Sequence, residues 1–236
     1  MVSTRGIVGA VGAACLLLSG CGIVAVGGQP EEKPKPVTFG KAAPSGKLAL
    51  GAAGRKRVPV SQWPQGCELL KDEEITALLP QATKITKRPR SGLDLLTPSY
   101  SGRVPDAGCE YDFALTTSPT VIDTDSIFVS IGGIGAPGLV KRAYAKQLAG
   151  NSGGTGVTRL KAGSATCFHT GKKPSFGDIY CRHGRLLYSV SGSSLSDVPI
   201  PGVPTGSSDA VTTARATVWN RHVVIPAAAT IAAKIA

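Results

Sequence analysis

What six cysteines can do in a chain of 236 residues depends on the compartment the chain reaches, and the first 21 residues specify that compartment. One positive charge, Arg5, precedes an apolar run from Ile7 to Leu18, and the small residues Ser19 and Gly20 close it just before Cys21. Charge, apolar run and small residues in that order form the pattern of an export signal. At about 12 residues the run is too short to cross a ~30 Å hydrocarbon core as a stable helix, and no later stretch reaches ~18 apolar residues. The rest of the chain is therefore expected outside the cytoplasm, where thiols oxidise.

Leu18-Ser19-Gly20-Cys21 resembles the lipobox of bacterial lipoproteins: an aliphatic residue, two small residues and a cysteine. The resemblance implies cleavage before Cys21, a diacylglycerol on its thiol, and a protein held on the outer face of the bacterial cytoplasmic membrane. Two or three acyl chains anchor stably where a single chain does not. Cys15 would leave with the signal and Cys21 would carry lipid, which leaves Cys67, Cys109, Cys167 and Cys181. An even number in an exported chain points to two disulfides. Three pairings are possible; Cys67–Cys109 with Cys167–Cys181 is preferred because each bond joins neighbouring elements in the reading below.

The organisation follows in three parts: residues 1–20 as signal, 21–63 as lipid anchor and flexible basic linker, and 64–236 as a single α+β extracytoplasmic domain. The linker reading rests on prolines, glycines and seven basic against two acidic residues over 22–63, a composition that does not support a core. A flexible chain of ~40 residues would span roughly 35 Å. A formal charge of +11 favours anionic partners. In the envelope these are phospholipid head groups, wall polymers or acidic glycans. Nucleic acid is not expected: aromatic residues make up 5% of the chain and do not interleave with basic ones, as a strand-binding groove requires.

Within the domain, Leu69/Leu70, Ile75 and Leu78/Leu79 have helical spacing from Cys67 to Leu79, and Pro80 ends the helix. A strand is expected from Ala82 to Arg88 and a long loop from Pro89 to Ala107. Strands follow at Cys109–Leu115 and Ser126–Ile131, then a helix at Leu139–Ala149 and a flexible loop at Gly150–Gly156. Val157–Leu160, Ala165–His169, Asp178–Arg182 and Leu186–Ser191 read as strands, the last two joined in a hairpin at His183-Gly184. Ser208 and its neighbours offer capping side chains for a helix over Ala210–Arg221, and Pro226 is expected to start a last Ala-rich helical segment. The pattern is an α+β domain with a mainly antiparallel sheet packed against two to three helices.

Cys67-Glu68-Leu69-Leu70, with the acidic residues and Leu78-Leu79 that follow, and later Cys109-Glu110-Tyr111, resemble two motifs of an actinobacterial lipoprotein domain family of unknown function. That family opens on a Cys-x-Leu-Leu helix and later shows a Cys-x-aromatic strand, usually with Trp where this chain has Tyr111. The resemblance implies a disulfide-stapled α+β module at the cell surface, supports the Cys67–Cys109 pairing, and implies no catalytic residues.

Four patterns suggest chemistry. Gly133-Ile134-Gly135-Ala136-Pro137-Gly138 matches a dinucleotide cradle but lacks the acidic residue that should end the next strand, so a strand-to-helix turn is expected and no cofactor. Gly150-Asn151-Ser152-Gly153-Gly154 would suit a serine nucleophile, with Asp178 or Asp197 and His222 as partners. A nucleophile elbow, however, needs a strand before the serine and a helix after it, and here the order is reversed. Cys167-Phe168-His169 and Cys181-Arg182-His183 could hold zinc, but disulfide formation competes, so a disulfide flanked by surface histidines is expected, and no metal. Asp123 and Asp125 share a strand face with no neighbour to tune an acid–base pair. The expected function is a non-catalytic binding module for a lipid, a cell-wall fragment or an envelope protein. The alternatives are an accessory subunit of an envelope complex and a serine hydrolase acting through Ser152.

Overall fold

A computed structural model of the chain describes residues 35–51, 57–97, 102–118, 121–152, 156–170, 177–193 and 198–235. The expected signal, the lipobox and Cys21 lie outside these residues. Seven strands form one sheet: β1 (Ala82–Leu93), β2 (Arg103–Ser118), β3 (Val121–Ile134), β4 (Val157–Ala162), β5 (Ala165–Thr170), β6 (Ile179–His183) and β7 (Leu186–Ser193). Their spatial order is β1-β2-β3-β7-β6-β5-β4, and every neighbouring pair is antiparallel. Two meanders thus meet at β3 and β7, with α2 (Pro137–Ser152) carrying the chain from one to the other. The expected α+β class with a mainly antiparallel sheet is what the chain adopts.

Both faces of the sheet are partly covered, and the alternation of side chains along each strand assigns residues to them. On one face lie α1 (Asp72–Leu78), α3 (Asp209–Trp219) and α4 (Ile225–Ala233) over Tyr111, Phe113, Ile127, Val129, Cys167, Cys181, Tyr188 and Val190. On the other face α2 packs Val140, Ala143 and Tyr144 against Phe168 and Leu187. Phe168 stacks on Tyr180 and meets Tyr144 edge-on.

Two expectations need correction. The first concerns the linker: over 35–51 and 57–63 it is laid along the domain. Val37, Leu48, Leu50 and Val58 are buried in the main core, and backbone bonds tie Val37 to Pro199, Gly40 to Leu78, Leu48 to Lys234 and Val58 to Ile134. Composition hid this because a strap needs only one apolar residue every several positions to dock, while its remaining side chains stay in water.

The second correction concerns the loop expected over Pro89–Ala107. β1 runs on to Leu93 and β2 begins at Arg103, so most of that stretch is strand. Pro89 is tolerated because β1 is an edge strand, where a missing N–H costs no ladder bond. Lys84, Lys87, Arg88 and Arg90 on the same strand guard that edge.

Pro226 stands, as expected, at the start of a last Ala-rich helical segment, α4 (Ile225–Ala233). α3 passes into α4 through a single π-helical turn, Asn220–Val224, in which the Ile225 N–H donates to the Asn220 carbonyl five residues back. The wide turn accommodates a proline that would otherwise clash with the carbonyl four residues before it.

Candidate functional site

The continuous α3–α4 helix does not rest evenly on the sheet. At its C-terminal end the alanines of Ile225-Pro226-Ala227-Ala228-Ala229 let the backbone approach closely; Ala227 and Ala228 are fully buried, and the Tyr188 hydroxyl donates to the Ala228 carbonyl at 2.8 Å. Toward the π turn the helix carries larger, polar residues and stands away from the outer strands. Between them opens a cleft of about 300 Å³, lined by Thr158, Leu160, His169, Ile179, Thr217, Asn220, Arg221 and Ile225.

Strand register builds its floor. Thr158 pairs with His169, and His169 with Ile179, so three side chains from β4, β5 and β6 stand in one row across the sheet, with Leu160 one pleat behind. Thr217, Asn220, Arg221 and Ile225 form the roof, and the π turn lies among them. Such turns concentrate at functional sites because one extra residue re-aims the side chains that follow. Here it leaves Val223 and Val224 in the core while Ile225 lines the cleft.

The lining is mainly apolar, with a small polar set. His169 is 5% exposed and Asn220 8% exposed, whereas Arg221 is exposed to solvent and forms no ion pair among the described residues. Among the described residues, no carboxylate lines the cleft. An apolar hollow with a few convergent polar groups is the usual form of a small-molecule site, and 300 Å³ lies at the low end of the range for such sites.

The residues singled out by sequence fall in different places. Cys67–Cys109 and Cys167–Cys181 are both disulfides, with sulfurs 2.04 and 2.05 Å apart. The first staples the turn Gly66–Glu68 to β2. Beside it Tyr111 is fully buried; its hydroxyl donates to the Leu70 carbonyl at 3.0 Å and accepts from the Leu70 N–H at 3.2 Å. Burial pushes the Tyr111 hydroxyl well above its ordinary pKa. At Gly66 the approach of helix and sheet is so close that a Cβ would lie 2.4 Å from the Gly108 carbonyl carbon. The position where the family resemblance has Trp is thus filled by a tyrosine that bonds the backbone it packs against.

Cys167 and Cys181 face each other directly across β5 and β6, and their bond removes both thiols from any zinc set. The histidines beside them are not a surface pair. His183 lies at the hairpin turn with Nδ1 3.3 Å from the Ser164 carbonyl, but His169 is buried and forms part of the cleft floor. Odd and even positions of β5 point to opposite faces, so a helix over the face that holds Cys167 also covers His169.

Ser152 ends α2, and its hydroxyl donates to the Leu148 carbonyl at 2.6 Å. It lies on the α2 side of the sheet while His222 belongs to the π turn on the other side, where it stacks on Phe39 at 4.7 Å. The sheet separates the two. Burial, together with the nearby Asp178 carboxylate that accepts from its hydroxyl at 3.4 Å, pushes Tyr180 up to about 12. Asp197 and the Asp123 side chain fall outside the described residues; Asp125 is buried on the helix-facing side. In Gly133–Gly138 the motif closes β3 and opens α2, as expected of a turn. Gly133 has a packing role, since a Cβ there would lie 2.3 Å from Leu96 Cγ.

The lining residues Thr158, Leu160, Ile179, Thr217, Asn220, Arg221 and Ile225 carried no signal in the sequence. They come from β4, β6 and the continuous α3–α4 helix, more than 60 residues apart end to end (Thr158 to Ile225), and no motif spans them. What the fold and cleft define is a disulfide-stapled α+β domain with a small amphipathic hollow between sheet and helix. Comparison with known protein families, curated proteins and solved structures found no match for this chain.

Proposed function

We propose that the protein is a lipoprotein anchored through Cys21 to the outer face of the cytoplasmic membrane, and that its domain is a non-catalytic binding module that takes an amphiphile into the cleft. The observation that carries this reading is the cleft itself, with Leu160, Ile179 and Ile225 supplying apolar wall and Arg221, Asn220 and His169 supplying polar groups. The strap supports a site that works close to the bilayer. Val37 is already docked, so the 15 residues from 22 to 36 (36 − 21) separate anchor from domain, a reach of at most roughly 50 Å when fully extended.

Native mass spectrometry of the full chain isolated from its own membranes tests the reading. A small molecule that dissociates on activation, and that is missing from an Ile179→Trp variant with a filled cleft, is the expected result. A bare mass for both proteins would overturn it. It would favour the second reading, an accessory subunit that docks an envelope complex. The observation behind that alternative is the half-sheet face left uncovered by α2, where Leu93 is 48% exposed beside an open groove over Phe128.

A further inference from the structure

We infer that the cleft selects single-chain amphiphiles with an anionic head group, the head seated at Arg221 and the chain laid over Leu160, Ile179 and Ile225. This rests on the reading of the cleft as an amphiphile site and adds the ligand's charge and size. The charge follows from the lining. Among the described residues that line the cleft, Arg221 is the one formally charged side chain, no carboxylate offsets it, and it is engaged in no ion pair. Thr217 and Asn220 stand beside it on the same helical surface, the Thr217 hydroxyl donating to the Thr213 carbonyl at 2.7 Å, so Arg221 is the group that meets the head. A guanidinium presents a planar fork of donors that matches carboxylate and phosphate oxygens.

Size limits the chain. The 300 Å³ of the cleft equals about ten waters at ~30 Å³ each. A methylene takes up about as much room as a water, so the cleft holds about ten carbons, and a twelve-carbon chain seats most of its length there with the remainder at the open mouth. One alkyl chain of that length fits, whereas the two chains of a diacyl phospholipid do not. The strained or buried groups elsewhere are already spoken for: Lys234 with Glu74, and Arg57 with Asp94, are paired within the core and the strap.

Isothermal titration of the full chain carrying Cys21→Ala, with probes kept below their micellar concentrations, tests the assignment. The probes are dodecyl phosphate, dodecanoate, dodecanol and dodecyltrimethylammonium. Dodecyl phosphate and dodecanoate are expected to bind one to one and more tightly than dodecanol, and dodecyltrimethylammonium to bind weakest. Arg221→Gln should lower affinity for the two anions roughly tenfold to a hundredfold, the range for a charge-assisted hydrogen bond, and leave dodecanol unchanged. Preference between phosphate and carboxylate separates a phospholipid-derived ligand from a free fatty acid. Equal binding of all four probes, or anion affinity untouched by Arg221→Gln, would overturn the head-group assignment and leave the amphiphile cleft standing. Binding of none of them would overturn both. Ile179→Trp should abolish binding; if that variant fails to fold, Thr158→Trp at the exposed rim fills the same space and replaces it.

Discussion

The two ends of the helix layer are built from the same sheet and yet differ in kind. At the α1 end the layers are locked together. Lys234 Nζ, 2% exposed, donates to Glu74 Oε2 at 3.0 Å and to the Leu69 carbonyl at 3.1 Å. Glu74 in turn accepts from the Lys71 N–H at 2.8 Å and from the Ser45 N–H at 2.7 Å. One carboxylate thus caps α1, holds the strap and neutralises the last helix, and the Cys67–Cys109 bond ties the same region to β2. At the π-turn end the helix and the outer strands part, and a hollow of about 300 Å³ remains between them. Its nearby disulfide, Cys167–Cys181, joins two strands of one sheet and does nothing to close the gap above them. The contrast teaches where rigidity is concentrated: the domain is clamped at one end so that the helix can stand off at the other.

Breaking the clamp should cost most. Lys234→Ala would strand Glu74 in the core and is expected to lose about 3–5 kcal/mol, read as a lower urea midpoint with an unchanged slope. Close behind comes the Cys67→Ala, Cys109→Ala pair. Its 42-residue separation predicts a loss of about 4 kcal/mol in the chain-entropy account, against about 3 kcal/mol for removal of Cys167–Cys181 with its separation of 14. Should the second pair prove the costlier, the clamp would not be where stability is concentrated.

A milder test addresses the strap. Val37→Ala removes two buried carbons and should cost about 1.6 kcal/mol at ~0.8 kcal/mol each; an unfolding midpoint unchanged by that variant would mean the strap is not part of the cooperative unit. Alkaline pH probes both ends together. Burial raises Tyr111 and Tyr188 above their ordinary value of 10 and brings Tyr180 to about 12. Above pH 10 the unfolded chain releases tyrosine protons that the folded chain keeps, so stability is intact below pH 10 and falls as pH rises from there toward about 12. Tyrosinate absorbance should therefore appear together with loss of structure rather than before it. The smallest effect is expected at Leu93→Ser, within about 0.5 kcal/mol, because that side chain is already half in water. A larger loss would show that the uncovered sheet face is packed against something in solution.

Much of the domain was legible in the sequence because short-range patterns dictate it. Alternation marked the strands from Cys109 onward, the acidic start and the leucine spacing marked α1, and the preferred cysteine pairs are the disulfides the fold contains. The strap was not legible, since Val37, Leu48, Leu50 and Val58 are single apolar residues among prolines, glycines and lysines. The continuation of β1 past Pro89 was hidden as well, because a proline means different things at an edge and in the middle of a sheet.

The sequence by itself determined the element order, the sheet class and the disulfide framework, all of which depend on residues near one another in the chain or on chemistry each residue carries alone. Only the tertiary structure decided that His169 belongs to a cleft floor, that Ser152 and His222 are parted by the sheet, and that Arg221 stands over Leu160 and Ile179. Those facts depend on which face of β5 the helix covers and on how far its π turn stands off. Helix-to-sheet distance is set by the summed size of side chains from four separate elements, and no local pattern in the chain encodes that sum.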